Sequence, residues 1–217
     1  YRNGTLYVAA VNQILAFDQI DERLKSPPKP RIVYDQLPHD SHHGWKFIDF
    51  GPDGKLYVPV GAPCNVCIVD DPYGTILSIN VDDGSMEVVA RGVRNSVGFT
   101  WHPESQELWF TDNGRDWMGD DIPPGELNRV TRVGQHFGFP YIHGGDIHDP
   151  KYGTNERVDD YVAPNLELGA HVAPLGPLFY TGTQFPPDYH LDLLIAEHGS
   201  WNRSRKSGYR IMRARFG

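Results

Sequence analysis

Long apolar runs are missing from this chain. No stretch approaches the ~20 residues that a membrane-spanning helix needs, so the sequence offers no transmembrane segment. A basic excess is missing too. Twenty Lys and Arg face 28 Asp and Glu, for a net charge of −8, which argues against a general nucleic-acid binder with its basic face. Heptad-like runs of Ala, Leu and Glu are absent, and no initiating Met or apolar leader precedes Tyr1, so the expectation is a mature or truncated form. Cysteine is nearly absent. Cys64 and Cys67 are the only two, too few for a zinc site built on Cys. Ile68 stands where covalent haem attachment would need His. A local disulfide or two packed thiols remain. A disulfide would suit a periplasmic or extracellular protein.

Turn formers and aromatics are plentiful instead: 23 Gly, 18 Pro and 12% aromatic residues. That composition favours many short strands over helices. The strands repeat. Asn3-Gly-Thr-Leu-Tyr-Val is echoed by Asp53-Gly-Lys-Leu-Tyr-Val, by Ser105-Gln-Glu-Leu-Trp-Phe and by Leu191-Asp-Leu-Leu-Ile-Ala. A second run with a period of two follows each copy, beginning at Gln13, Gly74, Glu126 and Gly208. Alternation of this kind marks antiparallel strands, and Asp53-Gly and Asp83-Gly read as hairpin turns. Units that recur every ~40–50 residues indicate a β-propeller. The expectation is an all-β single domain over 1–217, part of a β-propeller, with a long insertion at about 135–185 that is rich in Gly, Pro, His and Asp. Four repeats leave open edges if nothing closes the ring.

Several segments could carry chemistry. His42-His43 precede a strand, where an imidazole could accept a proton near neutrality or simply sit in a surface turn. Arg94-Asn95 pairs a planar fork of donors with an amide. Thr111 to Asn128 gathers acidic groups, glycines and amides, the hard oxygen ligands that Ca²⁺ takes, though without EF-hand spacing. Glu197-His-Gly-Ser-Trp-Asn-Arg begins a cationic stretch that could bind an anion or protect a strand edge. His143, His148 and His171 lack the tight spacing of a zinc site. Asn3-Gly-Thr and Asn202-Arg-Ser match the glycosylation pattern, which chance also produces often.

In order, His42-His-Gly-Trp-Lys-Phe-Ile, Gly51-Pro-Asp-Gly-Lys-Leu-Tyr-Val-Pro-Val-Gly-Ala-Pro-Cys-Asn-Val-Cys, Arg91-Gly-Val-Arg-Asn-Ser-Val-Gly-Phe, Glu107-Leu-Trp-Phe-Thr-Asp-Asn-Gly-Arg-Asp-Trp, Phe137-Gly-Phe-Pro-Tyr and Ala196-Glu-His-Gly-Ser-Trp-Asn-Arg-Ser resemble the glucose/sorbosone dehydrogenase family of soluble PQQ enzymes. The similarity is greatest to its sorbosone dehydrogenase branch, which fungal pyranose dehydrogenase domains also resemble. It covers nearly the whole chain. The resemblance implies a six-bladed propeller, of which this chain supplies about four blades. It implies PQQ and Ca²⁺ as cofactors, an aldose or related sugar as substrate, and an external electron acceptor (a quinone, a cytochrome or a partner domain). It makes His43 the general base and sets Arg94 and Asn95 against the quinone, with Arg94 stabilising the developing oxyanion. Asn113, Gly114 and Arg115 would meet the cofactor, Gly114 and Arg115 holding its calcium through backbone oxygens. Asp120 and Asp121 would bind a structural calcium or shape the turn. His198, Asn202 and Arg203 would line the cofactor rim. Two rivals remain from the residues: a calcium-dependent lactonase-type hydrolase, and a propeller binding module without catalysis.

Overall fold

The computed structural model describes residues 1–216. Blade one is β1 (Leu6–Ala9), β2 (Ile14–Phe17) and β3 (Arg31–Tyr34), paired in that order. Blade two is β4 (Asp49–Phe50), β5 (Leu56–Val60), β6 (Thr75–Ile79) and β7 (Met86–Arg91). Blade three contains β8 (Phe99–Trp101), β9 (Leu108–Asp112) and β10 (Pro124–Val130). All these pairs within blades are antiparallel. Gly54 and Gly84 sit in the two expected hairpin turns with φ of +81° and +73°, a conformation that glycine adopts without steric penalty. Three short 3₁₀ turns are the only helical elements among the described residues.

The segment expected as one insertion divides in the structure. β11 (Gln135–His136) adds in parallel to β7, and β12 (Ile142–His143) and β13 (Ile147–His148) form a small hairpin. The rest is blade material. β14 (Leu166–Ala170) pairs with β10 and completes blade three; β15 (Pro174–Phe179) opens blade four, followed by β16 (Leu193–Glu197) and β17 (Arg210–Ala214). Proline and glycine had masked both strands. Pro174, Gly176 and Pro177 interrupt the alternation of β15, and the register shifts between Pro174 and Pro177.

The blades are held face to face by three apolar layers. Ile14 and Tyr34 of blade one meet Leu56, Val58 and Leu77 of blade two. Ile76 and Val89 of blade two meet Phe99, Leu108 and Phe110 of blade three. Trp109, Leu127 and Leu168 of blade three meet Phe179, Leu193 and Ile195 of blade four. Blades two and three are therefore covered on both faces, and every residue of β6 and β9 is buried. This is why the two strands read Thr-Ile-Leu-Ser-Ile and Leu-Trp-Phe-Thr-Asp rather than as strict alternation. Each fully buried Leu, Ile or Phe contributes about 1.5–3 kcal/mol.

The pairing register also fixes which loops meet. Val60 pairs with Thr75 and Thr75 with Arg91; Asp112 pairs with Glu126, and Pro174 with Glu197. The C-terminal ends of β5, β7, β9 and β16 consequently share one end of the blades with the starts of β10 and β15.

Blades three and four approach closely there. A Cβ on Gly98 would lie 2.4 Å from Gly176 Cα. The Gly98→Ala substitution is expected to cost about 1–3 kcal/mol through overpacking, read as a lower urea midpoint at an unchanged slope. A change within about 0.5 kcal/mol would show that the contact is soft.

Candidate active site

At that shared end lies a cavity of about 200 Å³, lined by His43, Arg94, Asn95, Asn113 and Gly114 together with Asp116, His171, Trp201 and the Val172–Pro174 turn. Five residues expected at the site from sequence are thus brought together from three loops.

Arg94 is the centre of the arrangement, and its side chain is nearly inaccessible at 6% exposure. Buried charge of this kind must be paired and hydrogen-bonded. Nε donates to Asn65 O at 2.8 Å and Nη2 to Asn65 Oδ1 at 3.0 Å. Nη1 donates to Asn113 O at 3.1 Å and to Gly114 O at 2.9 Å. Asp116 Oδ2 lies 3.5 Å from Nη2. A guanidinium has five N–H groups, and the protein engages them with four hydrogen bonds and the Asp116 ion pair. Arg94 therefore offers the cavity positive charge, not the free donors that oxyanion stabilisation by direct hydrogen bonding would use.

His43 lies across the cavity with a left-handed backbone, φ 50°. Its Nδ1 is 2.8 Å from Ala62 O. A carbonyl only accepts, so the proton sits on Nδ1 and Nε2 keeps its lone pair. Burial, reinforced by the Arg94 charge and by His42, lowers its pKa to about 4. Gly61 permits the approach, since a Cβ there would lie 2.5 Å from His43 Cβ. The Ala62 N–H donates to Arg94 O at 2.8 Å, so one residue's backbone holds both the His43 ring and the Arg94 main chain.

Asn95 differs from Arg94. Its backbone N–H donates to Asp112 Oδ1 at 2.6 Å, and its carbonyl accepts from the Asn113 side chain at 3.0 Å. Among the described residues its own amide has no hydrogen-bond partner, and it lines the cavity. Asn113 spends its amide donors on Asn95 O and Pro174 O.

Beneath the cavity floor, Asp112 and Glu126 are opposite one another on β9 and β10 and both are buried. Burial raises both. Asp112 reaches only about 6, restrained by the N–H groups of Asn95 and Arg94, whereas Glu126 is pushed up to about 8 with the Asp112 charge adding to the effect of burial. Asp112 is thus the ionised member at neutral pH and Glu126 keeps its proton.

The remaining expected residues lie elsewhere. Arg115 points its side chain away from the cavity, with Nη1 2.5 Å from the buried Asp149, which also bonds His143. Asp120 and Asp121, expected to bind a structural calcium or shape the turn, are engaged within the protein. Asp120 accepts from Ser204 N and its carbonyl from Arg203 Nη1, and Asp121 accepts from Arg203 Nη2 at 2.8 Å. The loop's negative charge is answered by Arg203, so Arg203 and the two aspartates pin one loop to another. Gly114 O, expected on the cofactor's calcium, already accepts from Arg94. Among the described residues no three metal-ligating side chains gather, and His143, His148 and His171 bond separately to Asp149, Gly153 O and Gly119 O. His198 is exposed and off the cavity, while Asn202 reaches it only through Asp116 Oδ1 at 3.3 Å. Sequence reasoning missed Asn65, Asp116, His171 and Trp201. Asn65 carried a faint signal, as an amide held between the two cysteines.

Comparison with known proteins identifies the family and the fold. The glucose/sorbosone dehydrogenase family pattern matches residues 9–200. The chain belongs to the glucose/sorbosone dehydrogenase family. This dehydrogenase-family chain is 40% identical over 222 residues to an uncharacterized protein of Borreliella burgdorferi, covering 97% of this chain and 59% of that protein. Its fold resembles a Trichoderma reesei carbohydrate-active enzyme of family AA12 with a TM-score of 0.81 at 20% identity, over 99% of this chain and 63% of that one. It also resembles the holo form of the pyranose dehydrogenase PQQ domain from Coprinopsis cinerea, with a TM-score of 0.76 at 18% identity, over 94% of this chain and 60% of that one. The chain spans about three-fifths of the length of these relatives.

Glu126 gives the site a pH signature. Its stabilising contribution is fully present below the unfolded carboxyl value of 4.5 and is lost as pH rises toward about 8, because over that window the folded state binds more protons. Glu126→Gln should remove that slope. Thermal melts across the window should show the variant gaining on the native protein as pH rises, then levelling. A constant difference would mean that Glu126 is ionised in the fold.

Proposed function

We propose that the protein oxidises an aldose or related sugar at C1 by hydride transfer to bound PQQ, with His43 as the general base. The observation that carries this reading is the pair of unengaged polar groups on the cavity, His43 Nε2 and the Asn95 amide, set beside the buried Arg94 charge. The family match supports the same chemistry. These residues fit the reacting end of a planar, anionic quinone: a cation behind the wall, an amide that can orient a carbonyl, and a neutral base opposite. When bound, PQQ supplies a two-electron acceptor for the C1 hydride. Gly114 O accepts one hydrogen bond from Arg94 and keeps a second lone pair with which it could hold a cation, whereas Asp120 and Asp121 accept from Ser204 and Arg203.

The protein's own steps are then few. Asn95 holds the reacting groups in line. His43 accepts the C1 hydroxyl proton on Nε2 while its Nδ1–H stays on Ala62 O, which keeps the tautomer and the ring plane fixed. The low imidazole pKa keeps His43 neutral throughout the physiological range, so no proton has to leave before the sugar binds. The Arg94 charge disfavours protonation of free His43, and it offsets the negative charge that develops on the sugar oxygen. The Cys64–Cys67 disulfide supports a periplasmic or extracellular setting.

Reconstitution of the full-length protein with PQQ, with Ca²⁺ present or chelated, is expected to give dye reduction that depends on both PQQ and sugar. Absence of PQQ binding together with absence of sugar oxidation would overturn the reading and favour a binding propeller. His43→Ala should keep PQQ affinity and lose about 10²–10⁴-fold in turnover; native turnover in that variant would remove His43 from the mechanism. The acid limb of kcat/KM should fall near pH 4, where His43 titrates. A limb at the ordinary imidazole value of ~6.5 would show that burial and Arg94 do not depress His43 in the working enzyme, and a limb that survives in His43→Ala would remove His43 from the mechanism.

A further inference from the structure

The Cys64–Cys67 disulfide closes a short loop directly after β5. Its only role from sequence is local bracing, yet Asn65 within it is bonded on every side. Asn65 O accepts from Arg94 Nε at 2.8 Å. Asn65 Oδ1 accepts from Arg94 Nη2 at 3.0 Å and from the Asp116 N–H at 2.8 Å. Asn65 Nδ2 donates to Asp116 O at 3.2 Å. Asn65 stands behind the cavity wall and not among the residues that line it, so its part is played through Arg94.

We infer that Asn65 is a positioning residue for Arg94, and that the Cys64–Cys67 disulfide makes it one by holding this loop against the guanidinium. Four acceptors and one ion pair fix the guanidinium plane; Asn65 alone supplies two of the acceptors, on the edge facing away from the Asn113–Gly114 carbonyls. The same amide bridges to the backbone of Asp116, the Arg94 counter-ion. Arg94 and its counter-ion are thereby held by one side chain. A four-residue loop open at the sulfurs has many conformations, and closing it removes most of them. Asparagine suits both contacts, since aspartate would keep the acceptor and lose the donor to Asp116 O, and alanine would lose both.

The structural part of this inference stands on geometry alone; its consequence for PQQ rests on the dehydrogenase reading. The two are separated by measuring Arg94 directly. In ¹⁵N NMR spectra of the native protein, a guanidinium with partners on all sides should show slow rotation and slow exchange of its Nε and Nη protons. Asn65→Ala should speed rotation of the Arg94 guanidinium by about tenfold or more, the scale expected for loss of a charge-assisted hydrogen bond, and Asn65→Asp should restore most of the restraint. Reduction with a phosphine, or the paired Cys64→Ser and Cys67→Ser substitutions, should speed Nε–H exchange with the circular dichroism of the sheets unchanged. An Arg94 signal unaltered in Asn65→Ala would overturn the inference, and that variant decides the matter if the reduced protein unfolds. In the full-length protein, PQQ affinity by absorbance titration should fall about tenfold in Asn65→Ala. Loss of restraint without loss of affinity would confine the role of Asn65 to Arg94 and count against the dehydrogenase reading of the cavity.

Discussion

A guanidinium withdrawn from water is the constraint on which this site depends. An unpaired buried cation would be very costly, so the fold has to supply acceptors wherever Arg94 has N–H groups. Those acceptors come from the disulfide loop after β5 and from the segment after β9, which commits both to one geometry. The Arg94 backbone is held as tightly. Its N–H donates to Asp112 Oδ2 at 2.7 Å and its carbonyl accepts from Ala62. Because Ala62 O also accepts from His43 Nδ1–H, the His43 ring and the Arg94 backbone are held by the two polar groups of a single residue's backbone.

The electrostatics follow from that arrangement. Arg94 has one carboxylate beneath it, Asp112, and one beside it, Asp116. A third negative charge at Glu126 would face Asp112 across the strand pair without water, and burial keeps Glu126 protonated. The protonated acid still accepts from Gly144 N and Asn128 Nδ2, so it ties the small hairpin of β12 and β13 to blade three. Arg115 and Asp149 make a second tie to the same hairpin. The polar parts of the segment 135–153 are in this way fastened to the floor of the site, not spread over it as a lid.

Much of the frame was legible because propeller strands repeat. Leu6, Leu56, Leu108 and Leu193 all begin or head strands, and the run after each copy pairs with it. β14 and β15 were not legible, since Pro174, Gly176 and Pro177 hide a strand whose hydrogen bonds shift register. His43, Arg94, Asn95, Asn113 and Gly114 were found from a resemblance in ordered motifs, and they share a cavity. Composition misled where it counted charge without direction. The acidic stretch around Asp120 reads as cation ligands, but its carboxylates meet Arg203 and a backbone N–H. Asp116, four residues earlier, is the one that turns inward, and only the distant Arg94, Asn202 and His171 reveal it. Asn65 was hidden for a related reason: spacing identified the cysteines around it, while its role depends on a partner 29 residues away.

The glycines at the site end of the blades show how the repeat and the site are connected. Gly61, Gly98 and Gly125 each sit at an inner strand end, and each is placed where a Cβ would strike a neighbour: His43, Gly176 and Pro174 respectively. None has a positive φ, so conformational freedom is not what selects them; close approach of another segment is. Blades radiating from a common end converge there, and convergence leaves no room for side chains on the walls between them. The space that remains is filled by the few long side chains that enter from the loops, His43 and Arg94 among them. Packing thus selects glycine at these three positions, while His43, Arg94 and Asn95 reach the cavity from the connections.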